Sequence, residues 1–261
     1  MLTAVAQRLA SAGCVRPMAE AVVLVDSATT EGELDTMVTR RERGEPLEHI
    51  VGWAEFRGRR YVVGPAVFVP RARSELLVEE AASLVRCTAG EGRDVVVVDL
   101  CCGVGAVGGS LAAELPQVRL YATDIDPRAV EYAARNLGPL GGTVYQGDLF
   151  APLPRRLRRR VDVLAASPPY VPTGQFALLA AQARDFEPSQ ALDGGIDGLD
   201  LVDRIGRGAE QWLARSGCLA LEVAASQLDR VERILSDLGY AVRTVVSEQD
   251  GSAVALARRV V

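Results

Sequence analysis

The chain has 261 residues, of which 49% are hydrophobic and 24% charged, and a formal net charge of −5. This composition excludes wholesale disorder, collagen-like repeats and disulfide scaffolds, and the length suits one large domain plus a small one at roughly 150 residues per domain. The acidic balance argues against a generally basic surface for coating nucleic acid. All 29 basic residues are arginine, the mark of a high-GC codon bias, so Schiff-base lysine chemistry and lysine-bearing phosphate loops are absent. The five cysteines, Cys14, Cys87, Cys101, Cys102 and Cys218, are irregularly spaced and fit free thiols in a reducing compartment. No CxxC pair occurs and His49 is the only histidine, so no metal site is expected. The start carries no signal-like segment and no apolar run reaches the ~20 residues of a membrane span, which places the chain in the cytoplasm with no membrane partner.

Residues 2–44 read as helices: apolar positions in Leu2–Ala12 and Ala19–Ala28 recur at helical spacing, and Pro17 suits a first helical turn. A polar helix over Glu31–Arg43 stops at Gly44-Glu45-Pro46. Val51–Val69, with Trp53, Phe56, Tyr61, Val62 and Val63 among Gly and Arg, reads as a β-hairpin. From about Ser74 a helix leads into alternating elements. Strands are expected at Val95–Leu100, Leu120–Asp124, Thr143–Gln146, Val161–Ala166, Cys218–Val223, Tyr240–Val246 and Ala253–Arg258. Helices are expected at Ala106–Glu114, Pro127–Leu137, Leu201–Ala214 and Gln227–Leu238. Such alternation implies an α/β domain with a largely parallel sheet wound on both faces.

The first strand of that domain runs into Cys101-Cys102-Gly103-Val104-Gly105 before a helix. Glycines there let the backbone approach a ligand closely. Asp124 closes the next strand, where a carboxylate can accept both hydroxyls of a ribose. A dinucleotide site would want G-x-G-x-x-G, and Gly108 supplies its third glycine. The cysteines before Gly103 nevertheless suggest a turn tighter than nicotinamide binding expects. An adenosyl ligand without phosphates needs only the glycine turn and the acid. Gly147-Asp148-Leu149-Phe150 is then a candidate for the adenine end, with Asp148 accepting from the exocyclic amine and Leu149 covering the ring. Its plainer reading is a turn or helix cap.

Ser167-Pro168-Pro169-Tyr170 follows a buried strand at the carboxyl edge, where ligands of open α/β sheets bind. Two prolines fix φ and remove two backbone donors, leaving carbonyl acceptors. A side-chain acceptor at 167 and a proline carbonyl can grip an NH₂ group while Tyr170 packs on the attached plane. Acceptors that hold both N–H bonds orient a weakly nucleophilic nitrogen toward an electrophile. The plainer alternative is a rigid loop.

These segments together resemble the HemK/PrmC-type protein-(glutamine-N5) methyltransferases. The resemblance is carried by Gly44-Glu45-Pro46-Leu47-Glu48-His49-Ile50-Val51-Gly52, Glu55-Phe56, Phe68-Val69-Pro70-Arg71, Ser74–Glu79, Gly147–Phe150 and Asp193-Gly194-Gly195-Ile196-Asp197-Gly198-Leu199-Asp200. It implies a Rossmann-like, class I S-adenosyl-L-methionine-dependent methyltransferase that acts on a glutamine side-chain amide, typically in a peptide-chain release factor. It also implies a helical, substrate-docking N-terminal domain (residues 1–50), a β-hairpin linker (51–73) and a methyltransferase domain (74–261), in a monomer. By position, cofactor contacts fall on Cys101, Gly103, Gly105, Asp124, Asp148, Leu149 and Ser167, and the substrate clamp on Ser167, Pro168, Pro169 and Tyr170.

Three residues depart from the family pattern. Cys101 stands where the family has its first glycine, Arg73 where it has an acid, and Ser167 where it has the asparagine of Asn-Pro-Pro-Tyr. A serine hydroxyl is shorter than an asparagine carbonyl, and its proton must point elsewhere before it can accept. The departure at 167 keeps other acceptors open: a small amide or guanidinium metabolite, or an exocyclic amine in nucleic acid as in cytosine-N4 DNA methyltransferases. The only candidate patch for nucleic acid is the basic run Arg155-Arg156-Leu157-Arg158-Arg159-Arg160, whose plainer reading is a solvated loop before a strand; the acidic total and the matching N-terminal linker disfavour nucleic acid. A cofactor-binding remnant without activity is the non-enzymatic alternative.

Overall fold

The structure is a computed structural model that describes residues 1–89 and 93–260; Val261, the expected end of the last domain, lies outside them. Three helices open the chain: α1 (Leu2–Ser11), α2 (Pro17–Ser27) and α3 (Glu31–Glu42). Pro17 occupies the first turn of α2, and the Thr30 side chain caps α3 by accepting from the Glu33 amide. Val5, Leu9, Ala21, Leu24, Leu34, Val38 and Ile50 close a small core of their own. The connection to the sheet is more helical than its sequence suggests, because α4 (Leu47–Val51) precedes the hairpin and ends on Gly52 at φ +81°. Strands β1 (Trp53–Phe56) and β2 (Arg59–Val62) are shorter than the expected Val51–Val69 hairpin. Beyond them Val63, Val67 and Val69 pack with Ala54 and Val104, pinning the linker to the glycine turn. His49 is buried in this joint, its Nε2 at 3.0 Å from the Val67 carbonyl, and burial lowers its pKa.

The second part contains α5 (Glu75–Thr88), β3 (Val95–Leu100), α6 (Ala106–Glu114), β4 (Val118–Asp124), α7 (Pro127–Leu137), β5 (Thr143–Gln146), β6 (Val161–Ala166), α8 (Ala181–Phe186), α9 (Asp200–Ala209), β7 (Leu213–Ala224), α10 (Leu228–Asp237), β8 (Tyr240–Val246) and β9 (Ser252–Arg259). The sheet order is β5-β4-β3-β6-β7-β9-β8, parallel except for β9. Alternate strand residues face opposite ways and feed two cores. Val95, Val97, Val163 and Ala165 pack under α5, α6 and α7, while Val98, Leu100, Leu164 and Ala166 pack under α9 and α10. This is the doubly wound α/β architecture that the alternation predicts.

Strand β4 begins two residues before the expected Leu120 and β7 five before the expected Cys218. The helix expected over Leu201–Ala214 ends at Ala209, and Leu213 begins β7, a 12-residue strand. Trp212 and Leu213 are buried in the same core as Val202 and Ile205, so their apolar character extended the helical pattern across a turn. The pairing of β6 with β7 slips at Val161/Val163, and there Gly217 lies so close that an added Cβ would sit 2.6 Å from the Val161 carbonyl.

Two polar contacts position the linker and the first turn. Asn136 on α7 accepts from the Val62 amide at 2.8 Å and donates to the Val62 and Val104 carbonyls, both at 2.9 Å. Asp99, buried near the end of β3, accepts at 2.8 Å from the Gly108 amide in the first turn of α6, and burial pushes its pKa up to about 7. Gly108 is required here because a Cβ would meet Asp99 Oδ2 at 2.9 Å.

Replacing Asn136 by Ala leaves the Val104 carbonyl without its donor. The expected loss is about 1–2 kcal/mol in urea denaturation. Asp99 holds its proton more tightly folded than unfolded. Its contribution to stability is therefore fully present below the unfolded carboxylate value of ~3.9 and declines as pH rises to about 7. Asp99→Asn keeps an acceptor without the charge, so its stability relative to the parent is expected to increase between about pH 4 and about pH 7 in paired denaturation curves.

Candidate active site

Strand register assembles the site. Leu100 of β3 pairs with Thr123 of β4 and Ala166 of β6, and Ala166 pairs with Leu221 of β7. The next residue on each strand or its exit forms a row: Asp124, Cys101, Ser167 and Glu222. Asp124 also pairs with Gln146 of β5, which places Gly147–Leu149 beside it. All of these line one cavity of about 820 Å³ at the carboxyl edge of the sheet, where the strand order reverses between β3 and β6.

The turn after β3 takes left-handed backbone at Cys101 (φ +55°), Gly103 (φ +55°) and Gly105 (φ +84°). Cys101 thus keeps the conformation a glycine adopts more freely, at a cost of about 1 kcal/mol. A Cβ on Gly103 would meet nothing within 4 Å, so its backbone is open to a ligand. Gly105 instead faces Leu137, whose Cγ lies 2.9 Å from an added Cβ. Asp124 organises the turn. Its Oδ2 accepts from the Gly103 amide at 2.8 Å and its Oδ1 from the Asp126 amide at 2.9 Å, while burial raises its pKa. Each oxygen retains a lone pair for a ribose hydroxyl. Leu149 is buried on the cavity wall at φ +47°. Asp148 is less free than its sequence context implies, because Arg204 Nη2 donates to its Oδ2 at 2.6 Å. The pair is half exposed and both residues line the cavity.

At the reactive end, Ser167, Pro168, Pro169 and Tyr170 all line the cavity. The Asp193–Asp200 loop braces them from behind. Val171 and Asp193 form a bridge, the Gly194 amide donates to the Val171 carbonyl at 2.9 Å, and Gln227 Nε2 donates to the Tyr170 carbonyl at 2.9 Å. A Cβ on Gly194 would stand 2.7 Å from the Pro169 carbonyl, which accounts for glycine there. Arg73 Nη1 donates to the Tyr170 hydroxyl at 3.1 Å, and that hydroxyl donates to Glu222 Oε1 at 3.4 Å. Residues 173–191, with α8, form one wall; their buried Glu187 accepts from Arg71 and, at 3.5 Å, from the Val69 amide.

Sequence reasoning brought together the turn, Asp124, Asp148, Leu149 and the Ser-Pro-Pro-Tyr segment. It missed Arg204, Arg71 and Glu187, which meet the site through contacts 56 to 118 residues apart in sequence. Glu222 lies within the strand expected at Cys218–Val223, where no motif marks it, and Arg73 shows only as a departure in the linker. The basic run contributes nothing to the cavity; Arg158 stacks over Trp212, 5.5 Å from the ring centroid.

The cavity suits an adenosyl sulfonium ligand. Gly103 leaves its backbone uncovered and the Thr123 hydroxyl has no partner, both beside the Asp124 carboxylate on the cavity wall. Among the described residues, no cluster of metal ligands occurs and no helix is long and apolar enough to cross a membrane.

Residues 74–186 match the family model of the methyltransferase small domain. A release factor glutamine methyltransferase of Streptomyces coelicolor is 37% identical over 88% of this chain and 86% of its own length. A 4-amino-L-phenylalanine/4-methylamino-L-phenylalanine methyltransferase of Streptomyces pristinaespiralis is 34% identical over 77% of this chain and 69% of its own length. Among solved structures, the hMettl16 catalytic domain superposes with a TM-score of 0.55 at 17% identity over 87% of this chain and 80% of that one, a likeness of fold. With a sheet of methyltransferase topology and such similarity along nearly its whole length, the chain belongs to the release factor glutamine methyltransferase family of S-adenosyl-L-methionine-dependent enzymes.

Proposed function

We propose that this enzyme methylates the side-chain amide nitrogen of a glutamine in a peptide-chain release factor. The observation that supports the reading is the register row, which sets the Asp124 carboxylate and the Ser167–Tyr170 segment apart along one cavity. When bound, S-adenosyl-L-methionine supplies a methyl group activated by a sulfonium. Asp124 would hold its ribose hydroxyls, the Cys101–Gly105 backbone its amino-acid end, and Leu149 with Asp148 its adenine. Ser167 and the Pro168 carbonyl accept the two N–H bonds of the acceptor, Tyr170 packs on the amide plane, and the apolar walls exclude water. Orientation of a weak nucleophile is the protein's main contribution. Residues 1–50 act as the docking domain for the protein, residues 51–73 as the linker that ties it to the glycine turn, and residues 74–261 as the methyltransferase domain of a monomer working in the cytoplasm.

A second reading has its own support. Serine replaces the clamp asparagine, and the Streptomyces pristinaespiralis relative is named for aromatic amines. An amine presents its N–H bonds without an adjoining carbonyl, so a shorter acceptor at 167 is compatible with it.

Labelled methyl transfer to a purified release factor and, in parallel, to 4-amino-L-phenylalanine separates the two. Label at a release-factor glutamine upholds the first reading; label only in the amine replaces it with the second. Ser167→Asn is expected to raise the rate on the glutamine acceptor, by up to about 10²-fold if the serine hydroxyl accepts poorly. A fall on that acceptor would show that serine is the fitted residue. Asp124→Ala is expected to weaken S-adenosyl-L-methionine binding about 10- to 100-fold by calorimetry, the worth of hydrogen bonds to a charged group.

A further inference from the structure

Glu222 ends the apolar run Leu219-Ala220-Leu221 on β7 and is 2% exposed. The register of Ala166 with Leu221 puts it beside Ser167. Its Oε1 accepts from the Tyr170 hydroxyl at 3.4 Å, but Oε2 is buried with no hydrogen-bond partner. The groups that face it are the Ser74 and Ser167 hydroxyls, the Tyr170 hydroxyl and the Arg73 guanidinium; these favour its charged form, while burial, the larger effect, raises its pKa. The Arg73 guanidinium reaches it through Tyr170, with no direct ion pair between the two. A buried carboxylate with an idle oxygen costs stability, so the fold alone gives no reason for an acid here. Its place at the clamp end of the cavity does.

We propose that Glu222 is the proton acceptor of the transfer. The inference rests on the methyl-transfer reading but holds for an amide or an amine acceptor alike, since either must shed a proton when a methyl group joins its nitrogen. The acceptor nitrogen gives its lone pair to the methyl carbon, and the carbon–sulfur pair stays with sulfur. The N–H proton passes to the Glu222 carboxylate, and the N–H pair remains on nitrogen. A sulfonium and a carboxylate enter the step; a thioether and a carboxylic acid leave it, and the proton goes to solvent as the product departs. Ser167 orients the N–H bond, and its hydroxyl has no capacity to keep the proton near neutral pH. Because burial holds the carboxyl above the ordinary glutamate value, its basicity is matched better to neutral pH than that of an exposed carboxylate.

The test is Glu222→Gln, which keeps the shape and removes the basicity. Its kcat on whichever acceptor takes label is expected to fall about 10²- to 10³-fold, with the dissociation constant for S-adenosyl-L-methionine changed by less than about threefold. The parent enzyme should lose kcat as pH falls through the Glu222 pKa, because only the carboxylate accepts a proton, and that acid limb should vanish in the variant. A kcat within about threefold of the parent, or an unchanged acid limb, overturns the proposal. If the glutamine variant does not fold, Glu222→Asp is the substitute; an acid limb displaced in pH supports the proposal, and an unmoved one overturns it. Failure of the methyl-transfer reading shows separately, as no label in either acceptor with the parent enzyme. In that case the proposal falls with the reading, whereas label with the parent and undiminished label with Glu222→Gln overturn the proposal alone.

Discussion

Hydrogen-bond register across four parallel strands is the constraint on which the site depends. Once Leu100 is paired with both Thr123 and Ala166, and Ala166 with Leu221, the residues that follow must emerge side by side at one edge. Neighbouring strands lie about 4.8 Å apart, so Asp124 and Glu222, three strands distant, are separated by roughly 14 Å along the edge. That span divides the cavity into a nucleoside end and a reactive end without any loop having to define it. A one-residue slip of β6 would turn Ser167 away and replace it at the edge by a buried alanine. The valine-rich strands, buried on both faces, make such a slip expensive, and catalytic geometry is thereby tied to core packing.

The strongest elements were legible because their physics is local. Val95–Leu100, Thr143–Gln146 and Val161–Ala166 read as strands with the bounds the structure gives them, since short β-branched or apolar runs flanked by turn residues leave little freedom. The helix that ends at Ala209 was overextended because Trp212 and Leu213 are apolar for another reason: they serve the same core from a turn and from a strand. Short α4 and α8 carry too few residues for a period to show. In the site, residues on the turns could be named from motif and spacing, whereas Arg204 and Arg71 could not. An arginine's partner is decided by which helix or linker passes overhead, and nothing near it in the chain records that.

The glycines divide by the same logic. Gly103 faces open space and belongs to the ligand; Gly108 and Gly194 are held by Asp99 and by the Pro169 carbonyl and belong to the scaffold. Gly108 therefore satisfies a dinucleotide fingerprint for reasons of helix–strand contact, which is why that motif alone does not distinguish a phosphate ligand from an adenosyl one. Cys101 shows the converse: a left-handed position is retained without glycine, and the turn survives the substitution.

Two of the departures from the family pattern, in segments 94 residues apart (73 and 167), converge on one carboxylate. An acid at 73 would face Glu222 with a like charge and favour its neutral form; Arg73, bonded to the Tyr170 hydroxyl, favours the charged form instead. Serine at 167 shortens the side chain beside the same group and leaves Glu222 Oε2 without an amide to bind it. Each change alone reads as drift. Together they change the charge and the hydrogen-bond donors that surround Glu222 at the Ser167 end of the cavity. Arg73 and Ser167 thus act on the same buried carboxylate from two separate segments, while the Pro-Pro-Tyr backbone supplies a rigid frame beside it.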